Sequence, residues 1–401
     1  MSGDCTGLEF STDDVGYLRS ESGAAALREV AELALTDDTR IADIAAIRAR
    51  FGNRAAVLVE TTLLRRRAPE KLGQLGEFDD VADWLFTDTA LQQATVAVVA
   101  RHRAERLAGQ VVHDVTCSIG TEVAALRRVS ARVLGSDLDP VRLLMARHNL
   151  GPDADLCRAD ALRPVTRDAV VVADPARRSD GRRRFSPADY RPALGPLLDT
   201  YRGRQLVVKC APGLAFDQLS GLGFDGEIEV TSYRGSVREA CLWSLGLAEP
   251  GVRRRASILD RGEQITDTEP DDCGVRPAGR WIVDPDGAVV RAGLVRQYAR
   301  RHGLWQLDPD IAYLSGDRLP AGVRGFEVLE QLAFEERRLR RVLSALDCGA
   351  LEILVRGVSV DPDALRRRLR PRGSRPLSVV ITRIGSGRAS HAAVFVCCPS
   401  R

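Results

Sequence analysis

The string His113-Asp-Val-Thr-Cys-Ser-Ile-Gly-Thr-Glu122 joins a β-branched run to an acid and then to a loop of small residues around Gly120. Such a loop, opening onto a helix, offers backbone N–H groups to an anionic part of a ligand. Close approach to a pyrophosphate needs several glycines. Here Gly120 stands alone, which disfavours a dinucleotide. About 20 residues on, Gly135-Ser-Asp137-Leu138-Asp139-Pro140 places an acid where it can accept from both hydroxyls of a ribose. Asp160, in Cys157-Arg-Ala-Asp160-Ala161, can accept from an adenine amino group. The string Val172-Ala-Asp174-Pro175-Ala176-Arg177-Arg178 carries a fourth acid. Asp174 can accept an N–H and turn the nitrogen lone pair toward an electrophile. Arg177 or Arg178 can stack its guanidinium plane on a base or hold a phosphate. Finally, Lys209-Cys210-Ala-Pro212 sets an ammonium beside a thiol, whose pKa falls if the two side chains approach.

Each acid lies at or just beyond the end of a candidate strand: Val111–Val115, Arg132–Ser136, Leu156–Arg158 and Ala169–Ala173, with Gln205–Val208 leading to Lys209. Helical spacing lies between them at Glu122–Val129, Pro140–Asn149 and Pro187–Tyr201. Alternating strand and helix predict a parallel sheet with right-handed crossovers. Ligands sit at the carboxyl ends of such strands, where all four acids fall. Asp139 reads as an N-cap with Pro140 in the first helical turn. Further strands are expected near Glu227–Ser232 and Cys241–Leu245.

The flanks differ in texture. Residues 1–105 read as helical, with Ala24–Leu35, Ile41–Phe51, Val57–Leu64 and a helix ending near Arg106. Asp37-Asp38 and Asp79-Asp80 are candidate caps, and Trp84 and Phe86 candidate packing residues. After a turn-rich stretch from Glu249 to Gly279 come Trp281-Ile-Val and a helical Val295–His302. The end reads β-α-β-β over Leu351–Val355, Pro362–Leu369, Ser378–Ile384 and Ala392–Cys397. The expected organisation is a helical domain at 1–105, an α/β domain at 106–248, and α+β modules at 249–330 and 331–401.

Hydrophobic content is 44%, with no apolar run of membrane-spanning length and no secretory leader pattern at Met1. Nine scattered cysteines without a CxxC pair suit reduced thiols, so a cytoplasmic protein is expected. His102, His113, His148, His302 and His391 lack metal-ligand spacing, and no metal is expected. His113 reads as a core or surface residue rather than a catalyst. Of 58 basic residues only Lys71 and Lys209 are lysines. Between Arg337 and Arg375 eleven arginines face four acids, a cluster suited to following phosphates.

The order Asp114…Gly120, Asp137, Asp160, Asp174-Pro resembles the class I S-adenosylmethionine-dependent methyltransferases across residues 106–248. Asp174-Pro-Ala-Arg-Arg, Gly181-Arg-Arg-Arg-Phe-Ser-Pro-Ala-Asp-Tyr190 and Leu85-Phe-Thr…Ala90-Leu-Gln-Gln-Ala-Thr95 narrow it to methyltransferases with a C-terminal THUMP-like domain. The resemblance implies a Rossmann-like core, a ferredoxin-like insert, a THUMP-like end and an RNA substrate. It also implies a cofactor site from Asp114, Thr116, Cys117, Ser118, Gly120, Asp137, Leu138, Asp160, Ala161 and Asp174. The catalytic candidates are Asp174, Pro175, Arg177 and Lys209. Two departures stand out: Thr116 and Ser118 occupy positions where the family carries glycine, and an aromatic residue is missing after Asp174-Pro175. N-methylation of an RNA base is the favoured reading. A pyrimidine C5 reaction through Cys210, an RNA-binding protein of weakened catalysis, and an enzyme for a protein or small molecule remain open.

Overall fold

A computed structural model describes residues 7–73, 81–177 and 186–400. Arg178, Asp79-Asp80 and the side chain of Arg177 lie outside the described residues. The chain divides into two compact units. The first takes residues up to Glu227 with Arg238–Glu249; the second takes Ile228–Val237 with Pro250–Arg401.

The first unit begins with helices α1 (Thr12–Leu18), α2 (Glu21–Ala31), α3 (Arg40–Phe51) and α4 (Ala55–Leu72). Ser11 starts α1 through a reciprocal capping box with Asp14, and the Ser20 hydroxyl caps α2. Thr39, rather than Asp37 or Asp38, is the N-cap of α3. The helix expected to end near Arg106 is α6 (Ala97–Glu105), and a short α5 (Asp88–Gln93) precedes it. Ala94, with a ψ of 141°, separates the two. Buried Asn149 accepts the Leu85 N–H and donates to the carbonyls of Leu85 and Ile119, fixing the approach to α5.

The α/β part follows as β1 (Val111–Asp114), α7 (Thr121–Leu126), β2 (Arg132–Asp137), α8 (Pro140–Leu150), β3 (Asp155–Arg158) and β4 (Val170–Ala173). Next come β5 (Ala176–Arg177), β6 (Tyr190–Arg191), α9 (Leu194–Thr200), β7 (Leu206–Cys210), α10 (Asp217–Gly221), β8 (Gly226–Tyr233) and β9 (Ser236–Ser244). The expected helix Pro187–Tyr201 is therefore wrong in its first half. Pro187–Asp189 is a single 3-10 turn, Tyr190–Arg191 pairs with β5, and only α9 is helical. Pro192 explains the break, since it has no N–H and disfavours helical backbone before it.

The sheet of this unit runs β9-β7-β4-β1-β2-β3, parallel except for β9 against β7. The chain fills the β1–β3 side first and then crosses to β4, so the switch point lies between β1 and β4. Val112, Val170, Val171, Val172 and Val207 are fully buried, as expected of a sheet covered on both faces.

In the second unit β8 pairs in parallel with β10 (Arg254–Ile258), which pairs antiparallel with β11 (Glu263–Thr266). A second sheet is built from β12 (Trp281–Val283), β13 (Trp305–Asp308), β14 (Ile311–Gly316), β15 (Gly325–Ala333), β16 (Cys348–Arg356), β17 (Arg375–Ile384) and β18 (His391–Pro399). Its order is β13-β14-β12-β15-β18-β17-β16. Helices α11 (Gly287–Ala292) and α12 (Val295–Arg301) follow β12; α13 (Glu336–Ala345) precedes β16, and α14 (Pro362–Leu369) connects parallel β16 and β17. Strands from both sides of residue 330 share this sheet, and β15 itself crosses that position.

Candidate active site

The loop after β1 is held by its own side chains. Asp114, buried at the strand end, accepts the Thr116 N–H at 3.0 Å. Burial, followed by the nearby Glu122 carboxylate, pushes the Asp114 carboxyl up to about 8, against the opposing Thr116 hydrogen bond. Ser118 adopts a left-handed φ of +50°, which explains why glycine suits this position. Its N–H donates to Asp137 Oδ2 at 2.9 Å, and Asp137 Oδ1 accepts from Asp139 N at 2.9 Å. Thr116, at the other substituted position, accepts the Asp174 N–H on its hydroxyl at 2.6 Å. The two replaced glycine positions thus tie the first loop to β2 and β4. Gly120 has φ +92°, and a Cβ there would lie 2.7 Å from Leu150 Cδ1. It makes the turn into α7 and does not line the cavity.

A cavity of about 320 Å³ opens at the carboxyl ends of β1, β2 and β4. Asp114, Thr116, Cys117 and Ser118 form one wall; Asp137, Leu138, Asp160 and Ala161 another; Asp174 and Lys209 stand at the inner end. The structure therefore brings the expected cofactor residues together, apart from Gly120. The donor set fits S-adenosylmethionine, a sulfonium that also bears an ammonium. Five lining acids (Asp114, Glu122, Asp137, Asp160, Asp174) outnumber Arg142, Arg191 and Lys209. Leu138, 60% exposed, offers apolar surface for a purine face.

A second cavity of about 450 Å³ shares Gln93, Ala94, Asp174, Ala176 and Lys209 with the first. Pro175, Lys71, Cys210, Arg238 and Glu239 line only this one. Buried Lys209 donates to Asp174 Oδ2, while the Asp174 side chain remains 41% exposed. Burial pulls the Lys209 pKa down, but the carboxylates of Asp174, Glu122 and Glu239 outweigh it and hold it up.

Behind this wall lies an ion cluster that the sequence reading missed. Arg103 of α6, 1% exposed, meets Glu122 of α7 at 2.5 Å and both carboxylate oxygens of Glu239 on β9 at 2.5 and 2.7 Å. Burial raises Glu239, and Arg103 and Lys209 oppose the rise. Nothing local marks these partners, because Arg103 and Glu239 are separated by 136 residues. The scarcity of lysine was the one available signal for Lys71.

The other candidates resolve as follows. Cys210 is buried, and its thiol is pushed far up, first by burial and then by Asp174 and Glu239. Lys209 turns to Asp174 and leaves the sulfur without an activating partner among the described residues. His113 is buried between Thr166 Oγ1 at 3.0 Å and Ser136 Oγ at 2.9 Å. Burial, with Arg204 adding, lowers it to about 4. Among the described residues no cluster of three or more metal-ligating side chains forms, and no helix is long and apolar enough to cross a membrane.

Sheet order, switch-point cavity and acid-rich lining together define a Rossmann-like class I methyltransferase core. The comparisons agree. Residues 323–399 match the family described as THUMP domain-like, and residues 11–68 match a domain of unknown function. Two relatives from strains of Mycobacterium tuberculosis, each named as an uncharacterised S-adenosylmethionine-dependent methyltransferase, are 76% identical over 358 residues. That alignment spans 88% of this chain and 100% of theirs. A crystal structure from Porphyromonas gingivalis W83, described as a candidate methyltransferase, superposes with a TM-score of 0.73 at 19% identity. It covers 98% of this chain and 100% of that one. The chain belongs to the S-adenosylmethionine-dependent methyltransferases that carry a C-terminal THUMP-like domain. Its cofactor is S-adenosylmethionine.

Proposed function

We propose that this enzyme methylates a ring or exocyclic nitrogen of a base in RNA, with Asp174 orienting the acceptor. The observation that carries the reading is Asp174 itself, which stands in the shared wall of two cavities with one carboxylate oxygen taken by Lys209. The other oxygen is left to accept an acceptor N–H and aim the nitrogen lone pair into the first cavity. Bound S-adenosylmethionine supplies an electrophilic methyl group. The chain's contribution is then positioning and electrostatics. Asp137 would accept from the ribose, Asp160 from the adenine amine, and Leu138 would cover the ring. The Asp174 N–H held by Thr116 fixes the distance between loop and acceptor site.

RNA is favoured by the arginine-rich end of the THUMP-like region. A cleft of about 800 Å³ there is lined by Arg340, Arg367, Arg368, Arg370 and Arg372, with Asp347 the lining acid. Asp347 is engaged by Ser374, and Arg368 chelates Glu336 at 2.8–3.1 Å. Such a surface holds phosphates by charge, so binding weakens with salt. The C5 reading through Cys210 loses ground, because a buried thiol with a raised pKa supplies little thiolate.

The test is transfer of labelled methyl from S-adenosylmethionine into total RNA. Asp174→Ala should lower transfer at least about a hundredfold, the scale of a lost orienting group, while calorimetry shows cofactor affinity largely kept. Undiminished transfer by Asp174→Ala overturns its assignment. Label entering protein or small molecules but not RNA overturns the substrate.

A further inference from the structure

The string Ala90-Leu-Gln-Gln-Ala-Thr95 runs past both cavities. Ala90, Gln93 and Ala94 line the first, and Gln92 through Val96 line the second. The segment is braced at both ends of α5. The Thr87 hydroxyl accepts the Ala90 N–H at 3.1 Å, and the Lys71 ammonium donates to the last open carbonyls, those of Leu91 at 3.0 Å and Gln92 at 2.5 Å. Five residues stand in the wall common to both cavities: Gln93, Ala94, Asp174, Ala176 and Lys209. The two alanines offer only methyl groups, and Lys209 donates to Asp174. Gln93 is the remaining polar member. Its neighbour Gln92 gives its amide to Asp88 Oδ2 at 2.6 Å, whereas the Gln93 amide has no hydrogen bond among the described residues. On an open surface an unpaired glutamine signifies little. Here it ends a braced helix and stands between the methyl-donor cavity and the acceptor cavity. The carboxylate of Asp174 can only accept, while a primary amide also carries two N–H donors. The shared wall therefore presents one acceptor and one donor to whatever lies between the cavities.

We propose that Gln93 reads the acceptor base: Asp174 accepts one N–H of an exocyclic amine while the Gln93 amide donates to the ring nitrogen beside it. The proposal rests on the N-methylation reading and narrows it to a base that bears an amine, such as adenine or cytosine. Enzymes that act on a base removed from its stack read it by this kind of edge contact. In hypoxanthine and uracil a carbonyl replaces the amine, and the neighbouring ring nitrogen carries hydrogen. Asp174 then faces an oxygen and the amide N–H faces another N–H. Rotation of the amide repairs the second contact but not the first.

The experiment titrates the full chain, saturated with S-adenosylhomocysteine, with two matched pairs of 5′-monophosphates: adenosine against inosine, and cytidine against uridine. Within a pair only the amine and the adjacent ring nitrogen differ, so sugar and phosphate cancel. At least one amine-bearing nucleotide should bind about tenfold tighter than its partner, the worth of a two-point contact to a base edge. Gln93→Glu, which cannot donate, and Gln93→Leu should each narrow that gap about fivefold, the worth of one neutral hydrogen bond. Thermal unfolding checks that each variant is folded, and calorimetry that it still takes up S-adenosylhomocysteine. Equal binding within both pairs overturns the proposal. So does a gap that both substitutions leave unchanged, or an absence of binding by all four nucleotides at about 10 mM. Failure of the RNA reading gives a different signature: a Gln93-dependent gap with no methyl entering RNA leaves the base contact standing. Methylated RNA with no gap does the reverse.

Discussion

Replacing Arg103 by methionine tests the ion cluster behind the two cavities. The guanidinium is 1% exposed, and its partners Glu122 and Glu239 have side chains only 7% and 9% exposed. Methionine fills much of the stem volume, so the loss is mainly one of charge. Two carboxylates then remain in the interior with Lys209 as the nearest cation, itself shared with Asp174. Removing one partner of a buried pair costs about 3–5 kcal/mol, and here one cation serves two acids, so the upper half of that range is expected. For a unit of this size that is a drop of roughly 10–15 °C in unfolding midpoint. The pH dependence supplies a second, sharper readout. With Arg103 gone, the folded pKa of Glu239, already raised by burial, rises further. A carboxyl with a raised folded pKa contributes stability that is present at low pH and lost as pH rises through that value. The penalty should therefore be smaller near pH 5.5 than near pH 8, by about 1 kcal/mol or more. Urea unfolding at both pH values, and of Arg103→Met/Glu239→Gln at the higher one, measures this. A destabilisation below about 1 kcal/mol, or one that does not change with pH, refutes the account of a charged and dry cluster.

Other outcomes are expected. Ser118→Gly should stabilise the protein by up to about 1 kcal/mol, since it relieves a left-handed φ but frees the unfolded chain; Ser118→Val should destabilise it, both read by denaturant unfolding. His113 is held neutral with a folded pKa of about 4 against an ordinary 6.5, so the unfolded chain takes the proton first. Stability should fall by roughly 3 kcal/mol as pH drops between those two values, and His113→Gln should lose less over the same interval. Cys210→Ala should retain methyl transfer to RNA; loss of transfer with an unchanged unfolding midpoint would revive the C5 mechanism.

The strand-end acids were legible because they combine two local signals, a β-branched run and a polar residue that stops it. Asp114, Asp137, Asp160 and Asp174 could be placed on one rim without knowing the sheet order. Asp139-Pro140 announced the start of α8 by capping chemistry alone. One helix was misjudged where proline outweighed apolar periodicity, at Pro192. Thr116 and Ser118 read as erosions of a glycine loop, and only the fold shows their hydroxyl and N–H tied to Asp174 and Asp137. Arg103, Glu122 and Glu239 were silent for a simpler reason. Their significance lies in contacts between distant segments, and in an arginine-rich chain one more helical arginine carries no contrast.

The chain leaves the first unit at Glu227, contributes Ile228–Val237 to the second, and returns for Arg238–Glu249 before leaving again. No single cut separates the two. A fragment starting at residue 250 would lack β8, the parallel partner of β10, and present a bare strand edge in its place. A fragment ending at Glu227 would lack β9, and with it Glu239 and the outer neighbour of β7. During synthesis β8 is made before the first unit is complete, and its partner β10 emerges only afterwards. The two units are therefore interleaved in time as well as in sequence, and a truncation meant to isolate one of them damages both.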